Sequence, residues 1–213
     1  MATQTYNQAI LELAQTGTQA LNTWAAQFSS PRTAAQQSHY LCSWMVESLK
    51  TKRFSKLVAD DLTMWIRTAR SQGAGAQLPE LLANIERHYQ VAQQHDSQLG
   101  TKLEQLLETL EELEWLVIAD TTIDTKLKLN SEGQSSLVVC ADVLEDAIKD
   151  GELIKSILVY VRGNEALFAK QALAQGLLVS QGNKKASLIK HHKAYQIGVA
   201  NQLKQLCLLT AQD

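Results

Sequence analysis

Residues 78–117 read LPELLANIERHYQVAQQHDSQLGTKLEQLLETLEELEWLV, and the rest of the chain is read outward from this stretch. Leu78, Leu82, Ile85, Tyr89, Ala92, Asp96, Leu99, Leu103, Leu106, Leu110, Leu113 and Val117 succeed one another in alternating steps of four and three residues without a slip. That is the a/d seam of a heptad repeat. Pro79 suits a first helical turn, where no backbone N–H is needed. The unbroken phase predicts one helix over about 78–118, roughly 60 Å long at ~1.5 Å per residue. Such a rod needs other helices, or a second copy, to cover it. Two features qualify it. Asp96 is the lone charge on the seam, and Gly100 followed by Thr101-Lys102-Leu103-Glu104 resembles a helix stop and a capping box. A turn has no reason to preserve heptad phase, so one helix bent near Gly100 is the favoured reading.

Upstream, Tyr6, Ile10, Leu13, Leu21, Trp24 and Phe28 form an apolar stripe at helical spacing. Ser29-Ser30-Pro31 ends that helix and opens the next, with Ser30 as cap. A second helix carries Tyr40, Leu41, Trp44, Met45 and Leu49, and a third carries Leu57, Val58, Leu62, Trp65, Ile66 and Ala69. Ser71–Gly75 is a flexible connection.

Downstream, Ile123, Thr125, Leu127 and Leu129 alternate with polar residues, a period of two. Asn130-Ser131-Glu132-Gly133 is turn-like, and Leu137–Cys140 is apolar. This is the one place where a small β-hairpin, near 121–140, enters the reading; a polar linker is preferred. The remainder reads as short helices near 142–149, 152–162 and 165–180. A final helix runs to about 209, with Leu188, His192, Tyr195, Val199, Leu203 and Leu206 as its stripe.

The expected fold is therefore an all-α, multi-helix bundle organised on the 78–118 helix. A helical bundle is expected over 1–119, with a C-terminal helical part over 135–213 packed on it, as two parts or as one single domain. The chain has 213 residues, 45% of them hydrophobic, with a net charge of −2. That suffices for a core without metal or disulfide staples. Cys42, Cys140 and Cys207 are too few and too scattered for a disulfide framework, which fits a reducing cytoplasm. No apolar run approaches the roughly 20 residues of a membrane span. Met1–Thr5 carries no positive charge ahead of an apolar segment, so no secretory signal is expected.

Familiar chemistries are missing from the sequence. Three residues before His39, His88, His95, His191 and His192 stand Gln36, Ile85, Ala92, Leu188 and Ile189, so no Glu-x-x-His pair of a di-iron bundle exists. His-Glu-x-x-His and Gly-x-Ser-x-Gly are also absent. His88 and His95 read as solvated residues flanking the seam, and His192 as a hydrogen-bonded core histidine. No catalytic residue, metal site or cofactor is expected.

Charge is segregated. Residues 104–152 hold 13 acidic and 3 basic side chains, whereas 153–212 hold 8 basic side chains and one acidic, Glu165. Arg162, Lys170, Lys184, Lys185, Lys190, His191 and Lys193 are the candidate anion- or partner-binding set, presented by a basic C-terminal helix. A second cluster is Lys50, Lys52, Arg53 and Lys56. Leu99, Leu103, Leu106, Leu110 and Leu113 are the candidate interaction seam.

The expectation is a non-enzymatic cytoplasmic interaction, adaptor or regulatory protein whose partner is another protein or a second copy of itself. One alternative is a helical-bundle enzyme or cofactor binder, with Trp24, Trp44, Trp65 and Trp115 among the residues of its core. The other is an anion or nucleic-acid binder using the C-terminal basic helix, although no nucleic-acid module is recognisable.

Overall fold

The computed structural model describes residues 4–95, 97–129, 133–183 and 188–210. The fold is mixed, 55% helical and 14% strand, with a five-stranded sheet and a second small sheet, so the all-α expectation is overturned. The described chain forms two compact units, divided between Gln90 and Val91.

Unit 1 is helical. Helix α1 spans Tyr6–Ala25, α2 Ala34–Lys50, α3 Ala59–Gln72 and α4 Leu78–Gln94, the last belonging to unit 1 as far as Gln90. Sequence sets the starts of the first two. Thr5 and Gln8 form a reciprocal capping box, as do Thr33 and Gln36. The cap of α2 is thus Thr33 and not Ser30, because only Thr33 has a glutamine three residues on. Ile10, Leu13, Leu41, Met45, Leu62, Leu82 and Ile85 are all at most 2% exposed. His88 is buried too, at 1% exposure, correcting its reading as a solvated residue.

The 78–118 helix is not continuous. Helix α4 ends at Gln94, and α5 begins at Leu99 and runs to Glu112. Gln98, between them, has φ 56° in the left-handed region. Contacts from farther along the chain fix this break. The Gln98 backbone N–H donates to Glu152 Oε1 at 2.8 Å, its side-chain amide does so at 3.1 Å, and the Thr101 N–H donates to the Gly151 carbonyl at 3.0 Å. These bonds satisfy donors at the start of α5 that a continuous helix would have paired with its own carbonyls. Asp96 lies outside the described residues.

Unit 2 continues with β1 Leu116–Ile118, β2 Ser136–Val138, α6 Ala141–Ala147, β3 Ile148–Lys149, β4 Glu152–Leu153, β5 Ile157–Arg162, α7 Glu165–Ala174, β6 Val179–Gln181 and β7 Lys193–Ile197. The main sheet has the order β1-β2-β5-β7-β6. Strands β1 and β2 are parallel, and every other pair is antiparallel. The hairpin considered near 121–140 does not form among the described residues: Leu137 and Val138 lie in β2, which pairs with β1 and β5, while residues 123–129 contribute only an isolated bridge at Leu127, to Ile189; residues 130–132 of the expected turn lie outside the described residues. Strands β3 and β4 form a separate two-stranded ladder.

The helices expected over 152–162 and 188–209 are strands and loops instead. Strand β5, ILVYV followed by Arg162, is a continuous apolar run because both its faces are covered. Ile157, Val159 and Val161 join Leu99, Leu103, Leu106 and Leu110 of α5 and Phe168 of α7 in one cluster. Val138, Tyr160 and Ala194 face the other way, toward Ile123 and Ile189. The two halves of the heptad seam are therefore separate stripes, and α5 spends its own within unit 2.

Candidate functional site

On the sheet face opposite α5 and α7, two irregular segments run side by side. The Leu127 N–H donates to the Leu188 carbonyl at 2.9 Å, and the Lys190 N–H to the Leu127 carbonyl at 2.8 Å, making a parallel bridge between Leu127 and Ile189. The segment leading to Leu127 is tethered at its start. The Ala141 N–H donates to the Thr121 carbonyl, and the Thr122 hydroxyl donates to Asp142 at 2.8 Å. Buried Ile189 anchors the second segment against the sheet.

Between the segments lies a pocket of about 390 Å³ lined by Lys126, Leu127, Lys128, Ile189, Lys190, His191 and His192. The three lysines and His191 are exposed, and His191 takes φ 67°. Among the described residues, no acidic side chain lines the pocket. Beside it, and sharing Leu127, Lys128 and Ile189, is a more apolar cavity of about 280 Å³ reaching Ile123, Leu129 and Val138.

His192 forms a fixed wall of the pocket. Its Nδ1 lies 3.1 Å from the Lys190 carbonyl and its Nε2 lies 2.9 Å from Ser136 Oγ. A carbonyl only accepts, so Nδ1 carries the hydrogen there. Burial pushes the imidazole below its ordinary pKa, against the opposing Lys190 bond, and the Arg162 charge adds to the depression. The ring is then neutral at pH 7, and Nε2 accepts from the Ser136 hydroxyl. Ser136 has no exposed surface, so this serine–histidine pair is a structural bond and not one presented to a substrate.

The candidate cations are not brought to one place. Lys190 and His191 line the pocket. Lys193, the first residue of β7, pairs with Glu165 at 2.6 Å, and Tyr195 donates to the other oxygen of the same carboxylate. Burial would raise the Glu165 pKa, but the Lys193 and Tyr195 bonds outweigh it and hold the carboxyl below its usual range. Arg162 lies opposite Ser136 in the β2–β5 register, and Lys170 is exposed on α7. Lys184 and Lys185 lie outside the described residues. The basic C-terminal helix does not exist as such: among its described residues, Lys193 opens β7, and Lys190 and His191 lie in the turn before it.

The seam leucines divide as well. Leu99, Leu103, Leu106 and Leu110 are at most 1% exposed in the unit 2 core, whereas Leu113 is 42% exposed.

Comparison with known proteins places the chain. A family model described as a protein of unknown function, DUF2913, matches residues 5–210. The chain belongs to the DUF2913 family. No curated protein matches it, and no solved structure matches it. Among the described residues of this DUF2913 chain, no group of three or more His, Cys, Asp or Glu side chains is placed to hold a metal ion. No helix among them is long and apolar enough to cross a membrane.

Sequence reasoning missed Lys126 and Lys128, because they sit inside the acidic half of the chain. The signal was the alternation around Leu127, which marks an extended segment with a lysine on either side of the leucine. His192 was placed correctly as a buried, hydrogen-bonded histidine, on an element of the wrong kind.

Proposed function

We propose that unit 2 binds a small ligand through an oxyanion, a phosphate or carboxylate group, seated between residues 126–128 and 189–192. The observation that carries this reading is the lining: Lys126, Lys128, Lys190 and His191 share one pocket with no acidic side chain among its described residues. None of the three lysines makes an ion pair among the described residues. Cations converging on a concave site concentrate anions there and give them charge-assisted hydrogen bonds. The pocket volume is that of a small-molecule site. Assembly through the leucine seam is less well supported, since four of its five leucines are already covered by their own core.

Calorimetric titration of the full chain with inorganic phosphate and with acetate tests the reading. Saturable binding is expected for at least one of them. It should weaken at least about tenfold in the Lys126→Ala/Lys190→Ala variant, and weaken as sodium chloride is raised. Absence of saturation, or indifference to the double substitution, would remove the reading. Tight duplex DNA binding that phosphate does not compete for would replace it with a nucleic-acid surface.

A further inference from the structure

Unit 1 contains its own cleft, of about 590 Å³, between α1 and α2. One wall is polar and uncharged: Thr16, Gln19 and Thr23 along α1, and Gln27 in the turn just after it. The opposite wall is aromatic, with Tyr40 and Trp44 one turn apart on α2, and Trp24 beside them. Arg53, just beyond α2, also lines it.

The aromatic wall is held in place from several sides. A Cβ on Gly17 would stand 3.2 Å from the Trp44 ring and 2.8 Å from Leu82, so a glycine here lets the indole close on α1. Trp24 stacks on Tyr40 with ring centroids 4.6 Å apart and planes within 10° of parallel. The Tyr40 hydroxyl donates to the Ala20 carbonyl at 3.2 Å.

The Arg53 guanidinium lies beside two aromatic rings. Its Cζ lies 5.7 Å from the ring centroids of both Trp44 and Phe54. Cation–π attraction does not consume the guanidinium N–H donors, which can serve a phosphate. Lys50, Lys52 and Lys56, close to Arg53 in sequence, are exposed. Among the described residues, no acidic side chain lines the cleft. On the polar wall, Thr16 and Thr23 donate their hydroxyl hydrogens to backbone carbonyls at 2.6 and 2.9 Å, which leaves their oxygens as acceptors. The Gln19 and Gln27 amides offer both donors and acceptors.

From this arrangement we infer that the unit 1 cleft binds a nucleoside phosphate unit. The base stacks on the aromatic wall, its polar edge meets the amides and hydroxyls of the polar wall, and its phosphate rests on Arg53. Stacking surface combined with a cationic end is the chemistry by which proteins hold unpaired nucleotides. A neutral sugar would use the aromatic wall and leave the cationic end idle. A free nucleotide and a single strand of nucleic acid both present the required unit. The inference rests on unit 1 alone and is independent of the oxyanion pocket.

The test uses full-length, ¹⁵N-labelled protein and follows the indole N–H signals of Trp24, Trp44, Trp65 and Trp115, assigned with Trp24→Phe and Trp44→Phe. The probes are AMP, adenosine, inorganic phosphate and a single-stranded DNA octamer. AMP or the octamer is expected to move the Trp24 and Trp44 signals saturably, leaving Trp65 and Trp115 in place. Arg53→Gln is expected to weaken AMP binding at least about tenfold while adenosine, already weaker, is unaffected. Lys126→Ala/Lys190→Ala should leave these shifts unchanged, which separates this site from the unit 2 pocket. Preference for AMP would identify a free nucleotide, and preference for the octamer a single strand; either supports the inference. No saturable movement with AMP or the octamer overturns it. So does an Arg53→Gln protein that keeps the native Trp65 and Trp115 signals and binds AMP as before.

Discussion

The Ser136 hydroxyl and the His192 ring form a buried hydrogen bond of 2.9 Å that ties β2 to the first turn before β7. Both residues are nearly sealed from solvent, at 0% and 5% exposure, so water is poorly placed to replace either partner. Ser136→Ala removes the hydroxyl that donates to Nε2 in a buried site. The expected loss is about 1–3 kcal/mol, read from urea unfolding at pH 7. An unchanged midpoint with an unchanged slope would show that the bond contributes nothing. The same variant should also loosen the turn from Ile189 to His192, weakening phosphate binding in the pocket that this turn lines.

Gly100 is where α5 meets the β3–β4 turn. A Cβ there would lie 2.6 Å from Ile148 Cγ2 and 2.8 Å from the Gly151 carbonyl oxygen. The carbonyl belongs to backbone that also accepts the Thr101 N–H, so it cannot move aside without losing that bond. Gly100→Ala is therefore expected to destabilise unit 2 by about 1–3 kcal/mol, despite alanine's better helix propensity. Gly75→Ala is the control, because its new Cβ would meet only Gln72 Cβ at an ordinary 3.6 Å. Equal thermal midpoints for the two variants would contradict the packing argument.

These positions show what the sequence made legible. The helices of unit 1 are plain in their stripes, because each buries one face and exposes the other. Unit 2 is not, because β5 buries both faces and its run of Ile157 to Val161 has no period to read. The heptad from Leu78 to Val117 misled for a definite reason. Two helices that each bury one stripe can share a phase by chance, while the contacts that break the chain, Glu152 and Gly151 on Gln98 and Thr101, come from some 50 residues away. The oxyanion pocket was half visible. Lys190 and His191 stood out as part of a basic cluster, but Lys126 and Lys128 are supplied by a segment whose net charge is acidic, and only the Leu127–Ile189 bridge brings the four together.

His88 makes the stability of unit 1 depend on pH. Burial pushes its pKa down from 6.5 to about 4, partly opposed by the bond from Nδ1–H to the Asn84 carbonyl at 2.6 Å. A depressed histidine binds its proton more readily in the unfolded chain. Its contribution is thus fully present above pH 6.5 and is lost as the pH falls from there to about 4. The full loss is about 3 kcal/mol. Asp61, raised by burial, acts in the opposite sense, so the readout is the difference between the wild-type chain and His88→Gln. Urea midpoints at pH 7.5, 5.5 and 4.5 should fall more steeply for the wild type. Parallel curves would mean that the imidazole is not the titrating group.

Tyr195 supplies the corresponding effect at high pH. Its ring has no exposed surface, packs against Phe168, and its hydroxyl donates to the carboxylate of Glu165, which Lys193 holds from the other oxygen. Burial, and after it the Glu165 charge, push the phenol well above its usual range. In the unfolded chain the phenol ionises near pH 10, so stability is full below that value and is lost as the pH rises beyond it. Tyr195→Phe is expected to cost about 1.5–3 kcal/mol at pH 7, the worth of a hydrogen bond to a charged acceptor, and to flatten the alkaline loss. Glu165 is not orphaned in that variant, because Lys193 still pairs with it. Glu165→Leu instead strands the Tyr195 hydroxyl against a covered sheet face and frees Lys193, so it should cost more than Tyr195→Phe at pH 7. Glu165→Gln, which keeps an acceptor for the hydroxyl, should fall between the wild type and Glu165→Leu. Unfolding curves at pH 7 and 10.5 for the three variants test that order, and a Glu165→Leu protein as stable as Glu165→Gln would refute it.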